Sequence, residues 1–174
     1  MAATTQPREV SMALYQRIMV AVDFSSYSQA AVNHGVALAR PLGATLMLIN
    51  VINQRDVNTI ERVWYGQNDF SVVDYNDFSV VDYIEQQTEE RTRGMQALLD
   101  EAGGKDLPVE TIVVVGIPYL ALLEQIDEKH ADLLIMSTKG RSNLADTVIG
   151  SCAQKMYRRC PVPLLSLRPE DKKG

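Results

Sequence analysis

Apolar residues along this chain fall into two rhythms, short β-rich runs and longer stretches at helical spacing, and the two alternate. Arg17 to Asp23 (RIMVAVD) is a short apolar run that ends where Ser25, Ser26 and Ser28 offer N-cap chemistry, so strand passes to helix there. Ala30, Ala31, Val32, Val36, Ala37 and Ala39 continue that helix to a stop at Pro41-Leu42-Gly43, and Ala44 to Val51 (ATLMLINV) reads as a second buried strand. Helical spacing resumes at Val81, Ile84, Thr88, Met95, Leu98 and Ala102 and stops at Gly103-Gly104. Pro108 to Gly116 is a third strand, and Pro118 opens a helix carrying Leu122, Leu123 and Ile126. Leu133 to Met136 is a fourth strand. A helix from about Ser151 ends at Arg158 and Arg159, where cations suit the dipole and Pro161 blocks continuation. Val162 to Leu167 closes the series as a fifth strand.

This β-α-β-α-β-α-β-α-β order predicts an α/β fold, a single doubly wound parallel five-stranded sheet with helices on both faces. Ligands of such sheets bind beyond the strand C-termini, where the strand order reverses. The pattern weakens from Ile52 to Tyr83, and the octapeptide NDFSVVDY occurs there twice, at Asn68 to Tyr75 and Asn76 to Tyr83. Eight residues rotate a helix face by about 80°, so one continuous helix cannot bury both copies alike. The expectation is a loop insertion over about 53–80, inside a domain of 17–168 flanked by a flexible lead, 1–16, and tail, 169–174.

The chain has 174 residues, enough for one ordinary core. A net charge of −5 argues against a nucleic-acid or anionic-membrane surface, since neither polyanion is attracted to it. The first residues lack the continuous apolar core of a secretory signal, and no window is apolar enough to span a bilayer, so a cytoplasmic location is expected. Cys152 and Cys160 lie about 12 Å apart along one helix, too far to bridge, and read as buried thiols. His34 and His130 fall on different helices with no ligand cluster, which argues against a protein-held transition metal.

The chemistry concentrates between Ala131 and Arg168. The strand ADLLIMS opens into Thr138-Lys139-Gly140-Arg141, and Gly150-Ser151 heads a helix. Main-chain amides bared by glycine, a helix N-terminus and flanking cations make a phosphate cradle. G-x4-G-K-[ST], G-x-G-x2-G and G-x-S-x-G are all missing. A phosphoacceptor receiver is rejected because the third strand ends in Val115-Gly116 rather than aspartate.

The spacing Ser137-x2-Gly140-x9-Gly150-Ser151 resembles the G-x2-G-x9-G-[ST] nucleotide motif of the universal stress protein family. VAVDFS at Val20 to Ser25, LINV at Leu48 to Val51, Gly116-Ile117-Pro118 and CPVPLL at Cys160 to Leu165 are similar to other stretches of that family. The resemblance implies a Rossmann-like fold of the adenine nucleotide alpha hydrolase type, and ATP across the strand ends. Ala21, Val22 and Asp23 would then lie near ribose and base, and Val51 would offer its backbone to adenine. Met136, Ser137, Lys139, Gly140 and Arg141, with Gly150, Ser151, Cys152 and Ala153, would wrap the triphosphate, with Mg²⁺ or Mn²⁺ on its oxygens. It also implies a homodimer through Val162 to Leu167, and a regulatory role in stress response with slow or no hydrolysis. Competing readings are a dimeric interaction protein with an empty site and a slow ATP hydrolase or nucleotidyl-transfer enzyme using Asp23. Ser137 stands where the family's ATP binders usually carry glycine. If a positive φ is required there, serine costs about 1–2 kcal/mol, or about 5- to 30-fold in affinity.

Overall fold

The computed structural model describes residues 14–67, 80–140 and 149–168. Five strands, β1 (Arg17–Ala21), β2 (Thr45–Asn53), β3 (Val109–Gly116), β4 (Leu133–Ser137) and β5 (Leu164–Leu167), form one sheet in the order β3-β2-β1-β4-β5. Every pairing is parallel. The chain lays β2 and β3 on one side of β1, then returns to place β4 and β5 on the other. The reversal therefore falls between β1 and β4.

Alternation along the strands sorts the core into two layers. Ile18, Val20, Leu46, Leu48, Leu133 and Ile135 point to one face and meet Ala31, Val32, Val36 and Ala39 of α1 (Ser28–Leu42). Met95 and Leu99 of α3 (Val80–Glu101) complete that layer. Met19, Met47, Ile49, Leu134 and Met136 point the other way, onto Leu122 and Ile126 of α4 (Pro118–Glu128) and Ala153 and Met156 of α5 (Ser151–Arg159). Because α1 leaves β1 on one face while α5 follows β4 on the other, the two strand ends part and leave a crevice.

Several elements differ from the sequence expectation. Residues 54–67, expected within a loop insertion, form helix α2 (Gln54–Gln67). At its start Asn53 Oδ1 accepts the Arg55 N–H at 3.1 Å, and Gln54 Nε2 donates to Asn58 Oδ1 one turn on. Val57 is its buried anchor. The first octapeptide copy lies outside the described residues; the end of the second, from Val80, opens α3. Helix α1 carries no side-chain cap, because the serines are spent on the turn before it, and it runs through Pro41 to Leu42. The fifth strand starts at Leu164, two residues later than expected, after Pro163. Cys152 and Cys160 are free and half-buried rather than buried.

Candidate functional site

A cavity of about 300 Å³ opens at the reversal, within the size range of small-molecule sites. Ala21, Val22 and Asp23 line it from the end of β1, and Val51 from β2. Met136, Ser137, Lys139 and Gly140 line it from β4 and the residues after it. Gly150, Ser151, Cys152 and Ala153 close it from the start of α5. These are all the sequence-predicted site residues except Arg141, which lies outside the described residues.

The β1 wall is held by side chains. Asp23 Oδ1 accepts the Ser25 N–H and the Ser28 hydroxyl, both at 3.0 Å. Val22 donates its N–H to the Ile49 carbonyl at 2.8 Å, and its own carbonyl accepts Asn50 Nδ2 at 2.6 Å. Peptide groups two residues apart on a strand face the same neighbour. The N–H and C=O of Val51 therefore face the β1 side, as those of Ile49 do, at a level where β1 has already ended.

The α5 wall is built from main chain. Gly150 adopts extended dihedrals and caps the helix without a side-chain bond. Its N–H is already given to the Thr138 carbonyl at 2.7 Å, so the glycine amide expected to be bare is engaged. The first intrahelical bond runs from Gln154 N–H to the Gly150 carbonyl. The amides of Ser151, Cys152 and Ala153 thus precede the helical ladder and stand at the positive end of its dipole. Lys139 is half-buried on the same wall and has no ion-pair partner among the described residues.

Gly140 has a different reason for being glycine from the one its motif suggests. A Cβ there would stand 2.5 Å from Asp23 Oδ2, so the missing side chain makes room for the carboxylate across the crevice. Ser137 also departs from expectation. It is a strand residue, not among those with positive φ, and its hydroxyl donates to the Tyr27 carbonyl at 3.2 Å. The affinity penalty conditional on positive φ does not arise.

Sequence reasoning missed Asn50 and named Thr138 only as part of the motif loop. Asn50 is 2% exposed on the cavity floor, with its amide oxygen accepting Arg91 Nη1 at 2.6 Å. Its signal was visible: an amide flanked on both sides by apolar residues within β2. Thr138 is 1% exposed, and its hydroxyl is sealed off with no hydrogen-bond partner among the described residues. Burial pushes the Cys152 thiol up to about 11, opposed by Lys155 and reinforced by Asp23. A smaller cavity of about 140 Å³ shares Asn53, Pro118, Ser151 and Cys152 with the first, and at its edge Lys155 lies 4.2 Å over the Tyr119 ring. Among the described residues no three His, Cys, Asp or Glu side chains gather as a metal site, and no helix is long and apolar enough to cross a membrane.

The model of the universal stress protein family matches residues 14–168. A universal stress protein of Methanocaldococcus jannaschii is 24% identical over 158 residues, covering 89% of this chain and 96% of its own. Its solved structure superimposes with a TM-score of 0.73 at 22% identity, over 91% of this chain and 99% of that one. The Lactobacillus plantarum universal stress protein gives a TM-score of 0.67 at 18% identity, over 88% and 98% of the two chains. A further universal stress protein, solved in complex with cAMP, gives 0.56 at 24% identity over 88% and 97%.

Proposed function

Because the chain belongs to the universal stress protein family, we propose that its crevice binds ATP or another adenine nucleotide and that the protein is a cytoplasmic regulator of the stress response. The observation that carries this reading is the α5 wall, where three helix-start amides outside the helical ladder line one cavity with Lys139, a cation without an ion-pair partner among the described residues. That is an anion site. Across the crevice, Asp23 supplies an acceptor suited to ribose hydroxyls, and the Val51 peptide offers a donor and an acceptor to the edge of a base. The relative solved with cAMP shares this fold and holds an adenine nucleotide.

In this reading Ala21, Val22, Asp23 and Val51 hold adenosine. Lys139, Gly140 and the amides of Ser151 to Ala153 hold the phosphates, with Arg141 next in the chain. Mg²⁺ or Mn²⁺ would be held by the bound phosphates rather than by a protein cage, which suits ions that keep their waters and take few protein ligands. It supplies charge neutralisation. Asp23 is the one carboxylate among the described lining residues and one of its oxygens already accepts two bonds, so hydrolysis is slow or absent and the nucleotide acts as a signal. The alternative of an interaction protein with an empty site leans on Ser137, whose ordinary strand conformation carries no positive-φ penalty.

Strand β5 lies at a sheet edge with all four residues half-exposed and apolar save Ser166, and we assign it the homodimer contact. The free thiols suit a reducing cytoplasm. Native mass spectrometry of freshly purified protein tests the main proposal. One adenine nucleotide retained per chain supports it. No retention, together with an unfolding temperature unmoved by millimolar ATP, overturns it.

A further inference from the structure

Helix α3 contributes no residue to the cavity, yet its Arg91 reaches the turn that carries Asp23 through Asn50 of β2, and the Phe24 ring of that turn lies against its Gly94. Arg91 is only 8% exposed, which is rare for an arginine and calls for partners. Its Nη1 donates to Asn50 Oδ1 at 2.6 Å and its Nη2 to Gln87 Oε1 at 3.1 Å. The first bond decides which way the Asn50 amide points. With the oxygen turned to the guanidinium, the nitrogen must face Val22, where it donates to the carbonyl at 2.6 Å.

The other side of the same turn is clamped by Phe24. Its φ of 58° places a non-glycine residue in the left-handed region, a strained state that persists only where surroundings enforce it. The Phe24 ring, itself 36% exposed, lies against α3, where a Cβ on Gly94 would stand 2.7 Å from it. Arg91 and Gly94 lie three residues apart, on neighbouring positions of one helix face. The β1 turn is thus gripped at Val22 and at Phe24, on either side of Asp23.

We infer that Arg91 is a positioning residue for the adenosine end of the crevice, acting through Asn50 on Val22 while the Phe24 ring against Gly94 fixes the far side of the turn. This rests on the nucleotide reading for its ligand, but the mechanical coupling exists without one.

The test combines amide hydrogen exchange of the ligand-free protein with calorimetric titration of ATP, adenosine and inorganic tripolyphosphate, for wild type, Arg91→Met, Arg91→Lys and Gly94→Ala. In Arg91→Met, exchange at Val22 to Ser25 quickens by about 10-fold, and ATP and adenosine weaken by about 10-fold, the scale of one charge-assisted bond. Tripolyphosphate affinity stays unchanged. Arg91→Lys, which keeps a donor, recovers most of the loss, and Gly94→Ala, which crowds the ring, reproduces it. Exchange at the turn unaltered in both Arg91→Met and Gly94→Ala overturns the inference, as does acceleration spread evenly through the sheet. Adenosine and tripolyphosphate weakened alike also overturn it. Should Arg91→Met not fold, Arg91→Lys and Gly94→Ala decide the question by the same readouts. Wild type that binds no ATP refutes the nucleotide reading, and the exchange data still judge the coupling.

Discussion

The two walls of the crevice are made from different materials. On the β1 wall the backbone is placed by side chains reaching far along the sequence, Asn50 to Val22 across 28 residues and Arg91 to Asn50 across 41. On the α5 wall the parts are main-chain groups within a few residues of one another, with Gly150 bonded to Thr138 and the next three amides left outside the helical ladder. A wall of main chain keeps its chemistry under most side-chain changes and fails when backbone is obstructed. The braced wall should show the opposite sensitivity.

Obstructing the point where the walls meet should have the largest effect. Gly140→Val places a branched side chain where Asp23 Oδ2 now stands, and ATP affinity measured by calorimetry should fall by about 100-fold. Pairing the substitution with Asp23→Ala should return part of that loss, since the clash is with the carboxylate; strict additivity would contradict it.

The contrast is sharpest at Ser151. Proline is welcome at a first helical position, and Gly150, with φ −67° and ψ 153°, has the conformation a residue before proline requires. Ser151→Pro should therefore leave the unfolding midpoint nearly unmoved while deleting one N–H and weakening ATP by about 10-fold. Ser151→Ala, which keeps the N–H, should cost no more than about 3-fold. Equal losses in the two variants would mean that the hydroxyl, not the amide, holds the ligand.

A smaller effect is expected at Thr138. Its hydroxyl is buried without a partner among the described residues, so the isosteric Thr138→Val should raise stability by about 1 kcal/mol in urea unfolding. ATP affinity should stay within about 2-fold, because the hydroxyl does not reach the cavity. The smallest energy concerns Cys152. With its thiol pushed up to about 11, only about one in a thousand is ionised at pH 8. Alkylation should be slow there and quicken steadily as pH rises toward 11, and saturating ATP should protect Cys152 while leaving Cys160, outside the cavity, unprotected.

The same contrast explains what could be read in advance. The α5 wall was legible because main-chain sites write themselves as small residues at fixed spacing: Gly140, Gly150 and Ser151 sit where the motif implies, and α5 begins and ends at the residues its caps and charges suggested. The strands were legible because each is a short, nearly continuous apolar run, as a parallel sheet flanked by helices requires. The braced wall was not. An arginine between helical apolar positions reads as a solvated charge, and only the tertiary fold reveals that Arg91 turns inward to Asn50. Helix α2 escaped because its inward apolar positions, Val57 and Ile60, are few and sit among polar residues. Even on the legible wall the motif does not say which amides are engaged: that of Gly150 is given to Thr138, while those of its three successors precede the helical ladder.

Amide resonances of isotope-labelled protein, followed as ATP is added, test the nucleotide site most directly. The account predicts that the N–H signals of Gly140, Ser151, Cys152 and Ala153 move together and saturate at one nucleotide per chain, while that of Gly150, already bonded to Thr138, moves least among its neighbours. Signals at those four positions that stay fixed at millimolar ATP, or that move only on the β5 edge or the outer helices, would contradict it.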